Sequence, residues 1–396
     1  MKKNNKTPKL RFSGYTDDWE QRKVGDITKE LSEYAKLNSG LPLLTSARTG
    51  LMYQSDYRGN STTDNENTLF SIVPLNACTY RHMSDDSTFH INVNTLEKGL
   101  VSKEYPVFVE NESDLRFVVQ YINSSDSFTK FCTEQKKGGT RTRLYYKTLC
   151  EYKMLIPSLN EQHIIADYFD NLDYLITLHQ RKLEKLQNMK KSCLQKMFPK
   201  DGATVPEIRF SEFQGDWEER TLGSCFDERL ESLPDGELLS VTIGSGIKKF
   251  SEIDRHDNSN TDKSKYKRVC IGDIAYNSMR MWQGASGRSP YEGIVSPAYT
   301  VVKPIGDIDT QFFAYMFKKK EIIHLFEINS QGLTSDTWNL KYPAFSKIVV
   351  RVPRNVEEQS RIAGFLLELD ELISCTEQEI EITKRMKKGC LQKMFV

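Results

Sequence analysis

The 396-residue chain has no Pro-Pro dipeptide, no Cys-x-x-Cys pair, no apolar run near the roughly 18 residues that span a bilayer, and a formal net charge of only +1. Each absence excludes something. Without Pro-Pro there is no Asp-Pro-Pro-Tyr-like loop of the kind that grips a base amino group in amino-methyltransferases. No Gly-x-Gly-x-x-Gly or Walker A sequence occurs, and "GSG" from Gly244 reads as a turn. The 8 cysteines (Cys78, Cys132, Cys150, Cys193, Cys225, Cys270, Cys375, Cys390) are scattered, as small buried hydrophobes are, so neither zinc nor disulfides are expected. The 6 histidines lack the His-x-x-x-His or His-Glu-x-x-His spacing of a catalytic metal. "EQK" at Glu134 and "EYK" at Glu151 resemble half of a metal-nuclease signature, yet the only Pro-Asp pair, Pro234-Asp235, lies downstream of both. No catalytic residue and no metal ligand is assigned. The basic opening "MKKNNKTPKL" leads into no apolar segment, so a cytoplasmic protein without a membrane partner is expected.

What is present begins with size: this length suggests two or three domains, and 38% hydrophobic with 28% charged residues suits a soluble globular chain. A net charge of +1 is low for a protein that binds phosphates. Local basic stretches exist at "KKGGTRTR" from Lys136, "KSKYKR" from Lys263, "KKK" from Lys318 and between Arg181 and Lys200. Singly, such runs are usually solvated faces.

A repeat joins them. "PKLRFSGYTDDWEQRKVGDI" from Pro8 returns as "PEIRFSEFQGDWEERTLGSC" from Pro206, and "IPSLNEQHIIADYFDNLDYLI" from Ile156 is answered by "VPRNVEEQSRIAGFLLELDELI" from Val352. The phrase "KKSCLQKMF" from Lys190 recurs as "KKGCLQKMF" from Lys387. The chain is a tandem duplication. Between the matched blocks lie two dissimilar segments, about Asp26 to Leu155 and Ser224 to Arg351, with faint echoes such as "GLVSKEY" from Gly99 against "GIVSPAY" from Gly293. This pattern suggests one frame used twice, holding one fold with two different surfaces.

The frame reads as two long helices. Asn160 offers a cap, and no Pro or Gly follows until Pro199. Ile165, Phe169, Leu172, Ile176, His179, Leu183, Leu186, Lys190, Cys193 and Met197 step alternately by four and three, a heptad seam. Ile362, Leu366, Leu369, Ile373, Thr376, Ile380, Thr383, Lys387, Cys390 and Met394 repeat it. Polar residues interrupt both seams at the same steps, which points to a fixed register. Each helix of roughly 38 residues would be about 57 Å long. An antiparallel pair is the simplest packing, with a pseudo-twofold axis and the two cores at opposite ends.

The cores read as mixed strand and helix. Strands are expected at "EYKMLIP" from Glu151, "ELLSVTI" from Glu237, "DIAYNSM" from Asp273, "AYTVVKP" from Ala298 and "FSKIVVRVP" from Phe345; helices at "ESDLRFVVQYIN" from Glu112 and "TQFFAYMFKKKEIIHLF" from Thr310. Loops on such a scaffold are where recognition usually sits.

The openings "RFSGYTDDWE" and "RFSEFQGDWE" and the blocks "NEQHIIADYFDNLDYLI" and "EEQSRIAGFLLELDELI", each of these ending in "CLQKMF", resemble in this order the conserved regions of bacterial type I restriction-modification specificity subunits, over the whole chain. The resemblance implies an α+β (mixed) architecture: two globular α/β target recognition domains at 1–155 and 201–351, joined through helical spacer regions at 156–200 and 352–396 that form two long antiparallel coiled-coil helices. It implies a noncatalytic subunit whose domains each read one half of an asymmetric, bipartite site in double-stranded DNA, the helices setting the spacer. Two methyltransferase subunits and motor-endonuclease subunits would be the partners. S-adenosylmethionine, Mg and ATP would sit on those partners, with no cofactor on this chain. Base edges would be read by Arg, Lys, Asn, Gln, Ser and Thr. Candidates in the first core are Arg48, Thr49, Asn76, Arg81, Lys136, Lys137, Thr140, Arg141 and Arg143. In the second they are Lys248, Lys249, Asn277, Ser278, Arg280, Trp282, Gln283, Thr334 and Ser335. Trp19 and Trp217, repeated in the frame, read as packing anchors. The rival readings are a free-standing bivalent DNA-binding regulator and a coiled-coil scaffold.

Overall fold

Two long helices, Leu159–Lys196 and Val356–Met394, run through a chain whose computed structural model describes residues 6–58, 67–136, 140–200, 202–244, 246–254, 256, 259–334 and 337–395. The first opens just after Pro157, its first helical bond running from Gln162 N–H to the Ser158 carbonyl at 3.0 Å. Asn160, expected as the cap, therefore lies inside the first turn. The second is capped by Asn355, whose side chain accepts from Glu357 N–H at 2.8 Å. Every seam position is buried or half-buried, while the positions between are largely exposed.

The chain divides into two compact units, residues 1–180 with 378–396, and residues 181–377, so each unit takes part of each long helix. In the first unit the helices are antiparallel: Lys387 donates to both carboxylate oxygens of Asp173 at 2.6 and 2.7 Å, and Phe169 stacks on Phe395 at 5.7 Å. The second unit repeats this direction, with Lys190 on Asp370 and with Cys193 and Met197 in one core with Ile362 and Leu366.

The sheets repeat as well. Strand Glu20–Lys23 lies antiparallel to Lys153–Ile156, as Glu218–Thr221 does to Val349–Val352. Four-stranded sheets follow, in the order Thr28–Glu30, Val107–Glu110, Cys78–Thr79, Asn92–Val93 in the first unit and Phe226–Glu228, Tyr299–Pro304, Ile274–Asn277, Ser286–Arg288 in the second. Each unit adds a hairpin, Leu44–Ala47 with Gly50–Tyr53 and Leu239–Thr242 with Gly246–Lys249. The echo at Gly99 and Gly293 is structural: Leu100 N–H reaches the Pro42 carbonyl and Ile294 N–H the Glu237 carbonyl, both at 2.8 Å. A Cβ on either glycine would press into the hairpin leucine, Leu44 or Leu239, at 2.7–2.8 Å.

The repeated letters of the frame are anchors. Arg11 forms a bidentate pair with buried Glu161 at 2.7 and 2.8 Å, and Arg209 does the same with buried Glu358 at 2.8 Å for both contacts. Gln162 accepts from Asp114 N–H at 3.0 Å and Gln359 from Asp309 N–H at 3.0 Å. Those two aspartates cap the helices Leu115–Ser124 and Thr310–Met316. The phrase ending "CLQKMF" serves both copies alike, since Leu10 N–H caps the Lys393 carbonyl and Ile208 N–H the Lys196 carbonyl, both at 2.9 Å.

Two element expectations are corrected. The helix expected from Thr310 through Phe326 is two helices, Thr310–Met316 and Lys320–Ile328. The break lets Lys318 turn inward, where its ammonium donates to the carbonyls of Ile243, Gly284 and Ser286 at 3.0, 2.6 and 2.7 Å. The strand expected from Phe345 starts only at Val349, because Tyr342–Phe345 forms a helical turn that buries Phe345.

Candidate nucleic-acid interface

In the first unit three loops meet. The hairpin Leu44–Ala47 with Gly50–Tyr53 closes through Arg48 and Thr49, both exposed. Met83–Ser84 pairs with Thr142–Arg143, and Leu144 N–H donates to the His82 carbonyl at 2.8 Å, which fixes the 140–143 segment beside the 81–86 loop. Arg48 reaches Asp86 at 2.5 Å and Arg141 reaches Asp85 at 2.8 Å. Arg81, Arg48 and Thr49 line a cleft of about 300 Å³ with Ser46, Ser84 and His90. Burial lowers the pKa of His82 against the opposing charge of Glu104 and with help from Arg143 and Arg81, and burial lowers that of His90 with help from Arg48 and against Asp86. Hydrogen bonds from Ser84, Arg48 and Thr88 hold the Asp86 carboxyl well below the usual range.

The structure thus brings Arg48, Thr49, Arg81, Arg141 and Arg143 together. Asn76 stands apart: it occupies a left-handed turn at φ 65° and donates from its N–H to Asn94, at the other end of strand Cys78–Thr79 from Arg81. Lys136 and Thr140 are exposed and border residues 137–139, where Lys137 lies outside the described residues.

The second unit sets out its own loops on the same supports. Leu340 N–H donates to the Ser278 carbonyl at 2.8 Å, the counterpart of the Leu144 bond to His82. Asn277 steadies its turn by accepting from Met279 N–H at 3.0 Å, and Arg280 is exposed. Trp282 and Gln283 follow in the turn Met281–Gln283, which ends at Gly284 with φ 79°. Trp282 packs edge-on against Trp338 at 5.3 Å, joining this turn to the segment that carries exposed Thr334. Asn277, Arg280, Trp282, Gln283 and Thr334 therefore form a second cluster. Ser278 is buried, its hydroxyl bonded to that of Thr300 at 2.8 Å. Lys248 and Lys249 lie toward the open end of their hairpin, opposite Ser240 and Leu239, with Lys249 paired to Glu237 at 2.9 Å. Ser335 lies outside the described residues.

Sequence reasoning passed over Asp85, Asp86 and Trp338. Among the described residues no group of three His, Cys, Asp or Glu could hold a metal ion, and no helix is long and apolar enough to cross a membrane.

Comparison with known proteins bears on this geometry. Residues 86–188 match the family model described as the type I restriction modification DNA specificity domain. The type I restriction enzyme MjaVIII specificity subunit of Methanocaldococcus jannaschii is 26% identical over 139 residues, which is 33% of this chain and 32% of that protein. The aligned part is thus about a third of the relative's length. Over 98% of this chain and 99% of the other, the fold matches the crystal structure of a type I restriction-modification system S subunit from M. genitalium, with a TM-score of 0.60 at 16% identity. Over residues 86–188 the chain thus resembles the type I restriction modification DNA specificity domain, and its fold resembles that of the M. genitalium S subunit.

Proposed function

We propose that this chain is the DNA-reading subunit of a type I restriction-modification complex, each unit contacting one half of a bipartite site. The observation that carries the reading is the pairing of unlike loops on like supports. Arg81 in one unit, and Asn277, Arg280, Trp282 and Gln283 in the other, stand at or after strands Cys78–Thr79 and Ile274–Asn277, which hold the same place in their sheets, yet their chemistry differs. A protein using both units for one shared partner would have little reason to change these loops and keep the frame.

Arginine forks suit guanine edges and asparagine or glutamine suits adenine, so the two clusters would prefer different bases. Further Lys and Arg side chains would hold phosphates and set orientation. The chain would be noncatalytic. Two methyltransferase subunits would bring S-adenosylmethionine and methylate adenine, and motor-endonuclease subunits would bring ATP and Mg and cut unmodified DNA. The length of the long helices would set the unread spacer.

The test is a genome-wide map of N6-methyladenine in cells holding the partner methyltransferase, with and without this chain. A gapped two-part motif that depends on the chain is the expected outcome. Absence of any motif, with the methyltransferase present and soluble, would move the reading to a free-standing regulator or a scaffold.

A further inference from the structure

The loop beside the cleft of the first unit carries two carboxylates that attraction to phosphates cannot explain. Asp85 accepts from Arg141 Nε at 2.8 Å, and Asp86 accepts from Arg48 Nη2 at 2.5 Å. Asp86 is the fixed member of its pair, because Ser84 Oγ and Thr88 N–H also donate to it at 2.7 and 3.1 Å. Two negative charges beside DNA phosphates weaken every electrostatic contact nearby. Arg81 and Arg143, in the same loops, make no ion pair among the described residues.

We propose that Asp85 and Asp86 are positioning residues that hold Arg141 and Arg48 ready for base edges while withholding their charge from phosphates. Each aspartate engages one N–H of its guanidinium and leaves a fork open: Arg141 keeps both η nitrogens, and Arg48 keeps the second N–H of Nη2, which pairs with that of Nε or Nη1. Two parallel donors are what a guanine edge requires. A side chain fixed in advance also loses less rotamer freedom when DNA arrives. Selectivity, more than affinity, then depends on the acidic pair. This inference rests on the base-reading assignment above.

The experiment uses the full chain with its methyltransferase subunit. Binding is measured to a duplex carrying the mapped motif and to equal-length duplexes with either half scrambled, between about 50 and 200 mM salt. Asp85→Asn and Asp86→Asn should each tighten binding to scrambled DNA and steepen the slope of log K against log salt by about 0.9, one more phosphate neutralised. The ratio of specific to scrambled binding should fall roughly tenfold. Arg141→Ala and Arg48→Ala should lose specific binding without that gain. Asp85→Asn decides the matter even if Asp86→Asn disturbs its loop, since Asp85 has no partner but Arg141 among the described residues. A discriminating wild type with an unchanged ratio and slope in Asp85→Asn overturns this inference alone. A wild type that fails to discriminate overturns the base-reading assignment, and this inference with it.

Discussion

At the scale of single residues, the frame depends on buried charges whose partners are fixed. Glu161 and Glu358 are buried almost completely, and each holds an arginine bidentately. Removing one partner of such a pair strands the other, at a cost of about 3 kcal/mol or more. Glu161→Ala and Glu358→Ala should each lower the melting temperature of the unit that carries it by roughly 6 to 12 °C in calorimetry. They should also differ. Glu358 accepts from Trp217 Nε1 at 3.1 Å, whereas Trp19 Nε1 has no partner among the described residues. Glu358→Ala should therefore cost about 1 kcal/mol more, and equal costs would mean that the indole bond contributes nothing. Lys318 supplies a second case. Burial, helped by the nearby charge of Lys190, lowers its pKa from 10.5 to about 8. Between those values the unfolded chain keeps a proton that the folded chain has released, so this group makes stability rise with pH across that window. Urea midpoints at pH 8, 9 and 10 should show that rise, and its amplitude should shrink in Lys318→Met.

At the scale of elements, the long helices were legible because apolar residues stepping by four and three leave few alternatives to a helical seam. The polar interruptions were legible only as a coincidence of position. The lysines among them find partners on the other helix: Lys190 meets Asp370, which also accepts from Tyr315 Oη at 2.8 Å, and Lys387 meets Asp173. No periodicity within one segment names such a partner. The pairs are partly exposed, so each is worth about 1 kcal/mol at most. Lys387→Glu should destabilise the helices, and adding Asp173→Lys should recover most of the loss; a double-mutant cycle in denaturant would measure it. Failure to recover would mean that packing alone sets the register. The break after Met316 was illegible for a related reason, since local helix propensity cannot register three distant carbonyls waiting for Lys318. In the candidate interface the arginines could be read from the sequence as basic residues near glycines. Their acidic partners could not, because Asp85 and Arg141 are far apart in the chain and become neighbours only through the pairing of Met83–Ser84 with Thr142–Arg143.

At the scale of the whole molecule, duplication divides what is kept from what may vary. The anchors at Arg11 and Arg209, Gln162 and Gln359, and Leu10 and Ile208 repeat almost contact for contact, while the loops at 48–49, 81–86 and 140–143 have no chemical counterpart in the second unit. If the units read DNA as proposed, exchanging about Ser224 to Arg351 for the segment of a relative should change one half of the methylated motif and leave the other half intact. Methylome sequencing would report it, and a change in both halves would sink the modular reading. The division of the long helices also bears on synthesis. The first unit needs residues 378–396, and its core includes Met394 and Phe395 packed on Phe169. All of the second unit is translated before that segment. As the ribosome proceeds, the half made first must wait with an open hydrophobic face, and the half made later is the first able to close. A stop codon after Glu377 would accordingly harm the distant, earlier part of the chain more than the part next to the break.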